Sequence, residues 1–248
     1  MRLLRTAGVL SIRDLTGLMN VSHMTVRRDI AALEGQGRVV SVQGGVRLAE
    51  QPAGQVPRER GSRSRLELPR KRAIARRAAE LVRDGMVIFV DAGTTCEQLV
   101  PHLATRTGLT VVTNDFLVTT ALFDHPGIET IHTGGAVDVA SGSASGPLAA
   151  ATVATLSLDV FFLSSGAWDL THGVTTPSTD KLLLKRAAMD AARECVLLAD
   201  STKFGAVERF RVTPLDRLDA LVTDDDLTDE STQRVRDLGV TVHLAPAR

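Results

Sequence analysis

The chain has 248 residues, enough for a small module and one larger domain with its own core. Its net charge is zero, yet residues 1–77 hold 16 Lys and Arg against 6 Asp and Glu, and residues 78–248 hold 13 against 23. This asymmetry indicates a polyanion-binding head on an unrelated body. Two distant cysteines exclude a disulfide framework or zinc cluster, and no apolar run approaches the roughly 20 residues that span a bilayer. We therefore expect a cytoplasmic protein without a metal or cofactor.

A helix-turn-helix is predicted over residues 11–30. Ser11 and Ser22 each precede a run of apolar residues at helical spacing, so each is placed to cap a helix. Met19-Asn20 between the two runs predicts a tight turn. The apolar positions are Ile12, Leu15 and Leu18 in the first helix and Val26, Ile30 and Leu33 in the second.

The outward face of the second helix carries groups that suit DNA. Adjacent arginines beside hydroxyls and an imidazole can bind phosphates and base edges in a major groove. Alone, this face equally fits an ordinary solvated helix, and the helix before it favours the DNA interpretation. Residues 38–48 alternate like a two-stranded wing that turns at Gly44-Gly45. The predicted DNA-binding residues are Ser22, His23, Thr25, Arg27, Arg28, Arg38 and Gln43.

These motifs closely resemble the DeoR family of bacterial transcriptional regulators. The family combines Val-Ser, Thr-Val/Ile-Arg-Arg-Asp, Leu-Glu, a glycine and a wing ending in Gly-Gly. In family members another helix precedes the helix-turn-helix, and it has several more residues than residues 1–7 supply. We therefore expect either that the start lies upstream or that this preceding helix is short. The matching residues here are Val21-Ser22, Thr25 to Asp29, Leu33-Glu34, Gly37 and Gly44-Gly45.

Residues 49–70 are predicted to be a linker, because they contain three prolines, two glycines and several arginines with hardly any apolar periodicity. The arginines have two interpretations: contact with the DNA backbone, or solubility of the linker. The predicted domains are therefore a winged helix-turn-helix DNA-binding domain at 1–48, a linker at 49–70, and an effector-binding and oligomerisation domain at 71–248.

The rest of the chain alternates strand and helix patterns, which predicts an α/β domain with a mostly parallel sheet and right-handed crossovers. Strands are predicted at 86–90, 109–113, 129–133, 160–164, 196–199, 220–223 and 241–244. Helices are predicted at 71–83, 95–104, 115–124, 146–156, 179–193 and 228–238. Cys96 has two interpretations, a thiolate favoured early in a helix or an inert buried thiol.

Polar motifs follow most of these strands, where ligands of parallel sheets gather. Small residues after the first strand let backbone N–H groups approach an anion, and lysines can balance a phosphate dianion. Carboxylate and amide oxygens can accept from sugar hydroxyls. Each motif taken alone also fits a glycine turn, a helix cap or a solvated lysine. The predicted ligand-binding residues are Asp91, Gly93, Thr94, Thr95, Asn114, Gly134, Lys185, Asp200 and Lys203.

The DeoR resemblance extends over this half through Asp-x-Gly-Thr-Thr, Thr-Asn, Gly-Gly, Lys-Arg and Asp-Ser-x-Lys-Phe-Gly, at 91–95, 113–114, 134–135, 185–186 and 200–205. It implies a domain similar to ribose-5-phosphate isomerase and glucosamine-6-phosphate isomerase that senses a phosphorylated sugar. Lys181 to Leu184 stands where family members often have an acidic residue, which implies an altered ligand preference.

The expected function is that of a non-enzymatic repressor of a carbohydrate-utilisation operon, bound to double-stranded operator DNA and modulated by a phosphorylated sugar. One recognition helix contacts few base pairs, so we expect a homo-oligomer, either a dimer or a tetramer. The alternative is a sugar-phosphate isomerase or deaminase with an appended DNA-binding head. Asp91 and Asp200 are the conceivable general bases for that chemistry.

Overall fold

A computed structural model describes residues 4, 9–35, 39–42, 45–48 and 60–247 of the chain. The chain divides into two compact units, Met1–Gln55 and Val56–Arg248. Several predictions fall outside the described residues: the start of the first helix (apart from Leu4), the DNA contacts at Arg38 and Gln43, the wing turn at Gly44, and linker residues 49–59.

The first unit is a winged helix-turn-helix, as predicted. Ser11 and Asp14 form a capping box, in which Ser11 Oγ accepts from the Asp14 N–H at 3.1 Å and the Asp14 carboxylate accepts from the Ser11 N–H at 3.2 Å. Asn20 turns the chain in the left-handed conformation, with φ 53°. The elements are β1 (Val9–Leu10), α1 (Ile12–Met19), α2 (His23–Gly35), β2 (Val39–Val42) and β3 (Gly45–Leu48). The three strands pair antiparallel in the order β1-β3-β2.

The small core of this unit joins both helices to the wing through Leu4, Leu15, Val26, Val39 and Val46. Leu18 was predicted to belong to the apolar stripe of α1, but it is 60% exposed. Each step of three residues along a helix falls about 60° short of a full turn, so a stripe spaced by three rotates away from the core.

The second unit contains a parallel sheet covered on both faces. The sheet strands are β4 (Val87–Val90), β5 (Thr110–Thr113), β6 (Glu129–His132), β9 (Leu158–Ser164), β12 (Ala192–Leu198), β14 (Ala220–Asp224) and β15 (Thr241–Ala245). They are the seven strands predicted from the sequence, with ends shifted by a few residues. Within residues 60–247 they follow the order β15-β14-β12-β9-β4-β5-β6, and every neighbouring pair is parallel.

Further strands and the helices complete this unit. The remaining strands are β7 (Ala136–Asp138), β8 (Ser143–Ser145), β10 (Ala167–Asp169), β11 (Gly173–Thr176) and β13 (Phe210–Thr213). The helices are α3 (Arg60–Arg65), α4 (Leu68–Ala79), α5 (Phe116–Leu122), α6 (Pro147–Val153), α7 (Thr179–Ala191) and α8 (Asp229–Asp237), with 3-10 turns at Cys96–His102, Ser201–Lys203 and Leu215–Arg217. No helix in the described part of the chain combines the length and apolarity needed to cross a bilayer.

Alternation along the central strand β9 builds two apolar cores. Val160 and Phe162 pack with α4 and α5 on one face, whereas Phe161 and Leu163 pack with α6, α7 and α8 on the other. Because both faces are buried, the strand reads as a continuous apolar run rather than as an alternating one.

The direction of winding reverses beside β4. The chain runs from β4 through β5 to β6 on one side, then returns to β9 and continues outward through β12, β14 and β15. Loops at the carboxyl ends of β4 and β9 therefore diverge, which opens a crevice at this topological switch point.

The predicted linker is helical in its second half. Residues 60–65 form α3 and residues 68–70 begin α4, so the helix predicted at 71–83 starts earlier and ends at Ala79. The arginine-rich sequence of α3 has no apolar stripe that would predict a helix. The helix is instead stabilised by contacts with residues far away in the sequence. Glu67, between the two helices, has a left-handed backbone with φ 54°.

Other departures are short elements. The helix predicted at 95–104 is the 3-10 turn Cys96–His102, and Pro101 inside it cannot donate a backbone hydrogen bond. The β7–β8 hairpin and the antiparallel sheet β10-β11-β13 were not predicted. All five of these strands have only three or four residues, too few to show a clear period.

Candidate functional site

A buried ion pair spans the crevice between β4 and β9. Asp91 follows β4, Ser164 ends β9, and Lys185 lies on α7. Lys185 Nζ donates to Asp91 Oδ2 and, at 2.7 Å, to the carbonyl oxygen of Ser164. Lys185 is 7% exposed and Asp91 2% exposed, so both charges are shielded from bulk water. The lysine therefore crosslinks two strand ends at the switch point.

The loop after β4 is held by side-chain acceptors. Asp91 accepts from the Ser164 N–H and the Ala92 N–H, both at 2.9 Å, and the Ala92 N–H also reaches Asn114 Oδ1 at 2.9 Å. A Cβ on Gly93 would lie 1.9 Å from Ser164 Oγ, so only glycine allows this approach. Backbone N–H groups of this loop were expected to face an anion, but those of Ala92 and Gly93 already have carboxylate or amide acceptors.

Asp115 connects the next strand end to α3. Its Oδ1 caps α5 by accepting from the Leu117 N–H at 2.8 Å, and its Oδ2 accepts from Arg60 Nη1 at 2.6 Å and from the Gly93 N–H at 3.2 Å. Burial raises the pKa of the Asp115 carboxyl, and the Arg60 guanidinium partly opposes that rise. Arg60 also donates to Glu97 at 2.8 Å.

These groups surround a small cleft, with a cavity volume of about 40 Å³, that is partly open to solvent. Four predicted ligand-binding residues line it: Asp91, Gly93, Asn114 and Lys185. The other lining residues are Arg60, Arg63, Ala92, Ser141, Ser143, Lys181 and Leu184, which were not predicted to bind ligand. The sequence pointed to Lys181, because the chain departs from the DeoR pattern at that residue. It did not point to Arg60 and Arg63, because both fall within the predicted linker.

The remaining predicted ligand-binding residues do not line the cleft. Thr94 and Thr95 are buried in the loop after Gly93. Gly134 is exposed, and its N–H donates to His132 Nδ1 at 3.1 Å.

Asp200 and Lys203 lie after β12 and also outside the cleft. Asp200 directly precedes the turn Ser201–Lys203, and Lys203 ends it. Asp200 caps this turn through Oδ1, which accepts from the Thr202 N–H at 3.1 Å, and its buried Oδ2 has no hydrogen-bond partner among the described residues. Lys71, on α4, is 3% exposed. Burial lowers the pKa of Lys71 to about 8, with Asp200 opposing the shift and Lys203 adding to it.

The predicted DNA-binding face of α2 is largely exposed. Ser22, His23, Arg27 and Arg28 are exposed, while Thr25 is half-buried and its hydroxyl lies 2.9 Å from Ser22 Oγ. Ser22 also accepts from the Thr25 N–H at 3.2 Å, which caps the helix. The two arginines are therefore accessible to a partner. At the start of the same helix, the hydroxyls of Ser22 and Thr25 form a hydrogen bond with each other.

Cys96 is fully buried against the carbonyl oxygen of Phe162. Burial raises the pKa of its thiol above the ordinary value. Of the two interpretations, the inert buried thiol fits the structure.

Two family models match the chain. Residues 1–52 match the DeoR-like helix-turn-helix domain, and residues 67–225 match the DeoR C terminal sensor domain.

Similar proteins match over nearly the full length. The uncharacterized HTH-type transcriptional regulator YgbI of Escherichia coli K12 is 42% identical over 95% of this chain and 92% of its own. The HTH-type transcriptional repressor CsqR of the same strain is 30% identical over 90% of this chain and 84% of its own. Among solved structures, ribose 5-phosphate isomerase A of Methanocaldococcus jannaschii is 18% identical, with a TM-score of 0.40, over 54% of this chain and 53% of its own.

Proposed function

Because the chain belongs to the DeoR family of transcriptional regulators, we propose that it represses a carbohydrate-utilisation operon under the control of a phosphorylated sugar. The observation that carries this proposal is the cleft at the switch point, where Lys185 and Asp91 meet beside further cationic side chains. In this proposal residues 1–48 bind double-stranded operator DNA in the cytoplasm. Residues 60–248, which include the two arginines of α3 that line the cleft, bind the effector and form the oligomer.

The cleft has the mixed chemistry that a phosphosugar requires. Arg60, Arg63, Lys181 and Lys185 line it, and cationic groups with several N–H donors suit a phosphate. Asn114 and the Ser141–Ser143 hydroxyl pair, 2.7 Å apart, supply neutral polar groups for sugar hydroxyls.

Arg60, Lys181 and Lys185 already have acidic partners. Lys181 Nζ lies 2.9 Å from Asp138, and Lys185 pairs with Asp91. An entering phosphate therefore shares or displaces carboxylates rather than filling an empty positive site. This exchange gives the ligand a means to rearrange the groups around the cleft.

The same pair argues for a sensor rather than an isomerase. A general base needs a free lone pair near the acidic C–H of its substrate. Asp91 accepts from Lys185 and from the N–H groups of Ser164 and Ala92, so its carboxylate is engaged in holding the loop. A sensitive isomerase assay with any phosphosugar that binds tests this point, and turnover above that of an Asp91→Asn variant would favour the enzyme.

Repression requires DNA recognition by more than one chain. The exposed arginines of α2 suit a major groove, but one helix reads only a few base pairs. We therefore expect a dimer or tetramer that binds repeated half-sites. The effector must bind one arrangement of the oligomer better than another, because equal affinity for both would regulate nothing.

Binding to a panel of phosphorylated sugars tests the proposal. The full chain is heated with each compound, and a ligand of the folded state raises the melting temperature by mass action. Each hit is then added to the chain bound to a DNA duplex selected from a random pool. We expect at least one phosphosugar to raise the melting temperature and change DNA retention, while its unphosphorylated sugar does neither. A panel in which no phosphosugar changes DNA retention would contradict the proposed regulation.

A further inference from the structure

Arg60 brings the segment next to the DNA-binding unit into the wall of the cleft. It begins α3, five residues after Gln55, where the first unit ends. Its guanidinium is 9% exposed and binds Asp115 and Glu97, and Nη1 also donates to the carbonyl oxygen of Ser141 at 2.9 Å. The backbone N–H of Arg60 donates to the Ala140 carbonyl oxygen at 3.3 Å. Helix α3 is thus attached to the body at its start through Arg60, and near its end Lys71 on α4 donates to the carbonyl oxygen of Arg63.

One donor of this side chain is unused. Arg60 Nε is buried and has no hydrogen-bond partner among the described residues. Burying a charged N–H without an acceptor is unfavourable, so an acceptor that reaches it stabilises the whole guanidinium. Arg60 lines the cleft together with Lys185 and Asn114, which makes an oxygen of a bound anion a suitable acceptor. The planar guanidinium edge matches phosphate oxygens in particular.

We propose that Arg60 donates from Nε to the phosphate of the bound effector, and that this contact fixes α3 against the body when the ligand is present. This inference rests on the proposed function, because it places the effector in the same cleft. Helix α3 with its arginine in place gains a hydrogen bond to the ligand that a detached α3 lacks. By linkage, the ligand therefore favours the attached helix. Because α3 begins a few residues after the DNA-binding unit ends, a ligand that fixes α3 also affects the segment that connects the two units.

Arg60→Lys tests this role through the change that phosphate causes. Lysine keeps a positive charge beside Asp115 and Glu97, but it lacks Nε and the two Nη groups that bind Asp115, Glu97 and the Ser141 carbonyl oxygen. Arg106→Lys is the matched control: Arg106 also has a buried Nε without a partner among the described residues, donates to the carbonyl oxygen of Ala79 and does not line the cleft. Both variants and the wild type are studied as full chains.

The probe is inorganic phosphate, with binding followed by thermal shift and helix attachment by amide hydrogen exchange of residues 60–65. We expect phosphate to slow exchange there in the wild type and in Arg106→Lys. In Arg60→Lys, exchange at 60–65 should be faster even without phosphate, because lysine cannot replace every guanidinium hydrogen bond. Phosphate should bind at least about tenfold more weakly to this variant, and it should no longer slow exchange at 60–65.

Three results would overturn the inference: phosphate binding by Arg60→Lys at wild-type strength, unchanged exchange at 60–65 in a phosphate-bound wild type, or the same phosphate-induced slowing of exchange in Arg60→Lys as in the wild type. A wild-type chain that binds no phosphate would overturn it as well. Failure of the proposed function gives a different pattern. There, Arg60→Lys weakens phosphate binding as expected, while no phosphosugar changes DNA retention by the wild type.

Discussion

Lys185→Met tests whether the ion pair at the switch point is as strongly coupled as its burial indicates. Methionine keeps the length and apolar stem of the lysine but leaves the Asp91 carboxylate buried without its cation. Removing one partner of a buried pair costs about 3–5 kcal/mol. Asp91 keeps two backbone N–H donors, from Ser164 and Ala92, so we expect a loss near the lower end, about 3 kcal/mol. In a unit of this size, that loss lowers the melting temperature by roughly 6–12 °C.

The matched control lies one turn earlier on the same helix. Lys181 also pairs with an aspartate, Asp138, but the two side chains are 22% and 35% exposed, against 8% and 3% for Lys185 and Asp91. Exposed pairs contribute about 0–1 kcal/mol, so Lys181→Met should barely change the melting temperature. Both variants remove one positive charge from an ion pair, so the difference between their melting temperatures measures the effect of burial.

Trp168 provides the assay. It is the only tryptophan of the chain and is fully buried in the second unit, so its fluorescence follows unfolding of that unit alone. Adding Asp91→Asn to Lys185→Met removes the stranded charge and should restore part of the lost stability. Equal melting temperatures for Lys185→Met and Lys181→Met, or a double variant less stable than Lys185→Met, would refute the reasoning.

Two further predictions concern the DNA-binding face and the buried lysine of α4. Arg27→Ala should weaken binding to the selected duplex and leave the fold intact, because the side chain is exposed; Arg193→Ala, exposed in the second unit, should leave binding unchanged. Equal affinities for both variants would mean that another face of α2 contacts DNA. The pKa of Lys71 is about 8 in the folded chain against an ordinary 10.5, so the unfolded chain holds this proton to higher pH. Between pH 8 and 10.5 the free energy of unfolding of the wild type should therefore rise relative to Lys71→Met, by on the order of 2 kcal/mol. Denaturant titrations across that window check the sign, and a constant difference between the two proteins would contradict the assignment.

Local patterns in the sequence were sufficient for the framework of the fold. The strands of the main sheet are buried on both faces, so they have apolar residues at consecutive positions. This local pattern predicted all seven. The helix cap at Ser11 and the exposed face at Arg27 depend on neighbours within a turn or two of helix. The strand-end rule also located Asp91 and Asn114 in the cleft, because parallel strands place their carboxyl ends along one edge.

Contacts between distant residues decided the rest. Lys185 meets Asp91 across 94 positions, and Arg60 meets Asp115 across 55, so no local period predicts either pair. Composition predicted a linker around Arg60, but tertiary contacts made that segment part of the cleft wall. The same motif rule favoured Asp200 and Lys203, which the course of the chain leaves outside the cleft. Hydrophobic periodicity indicates which side of a helix or strand is buried. The residue that pairs with a charged side chain depends instead on how the whole chain folds in space.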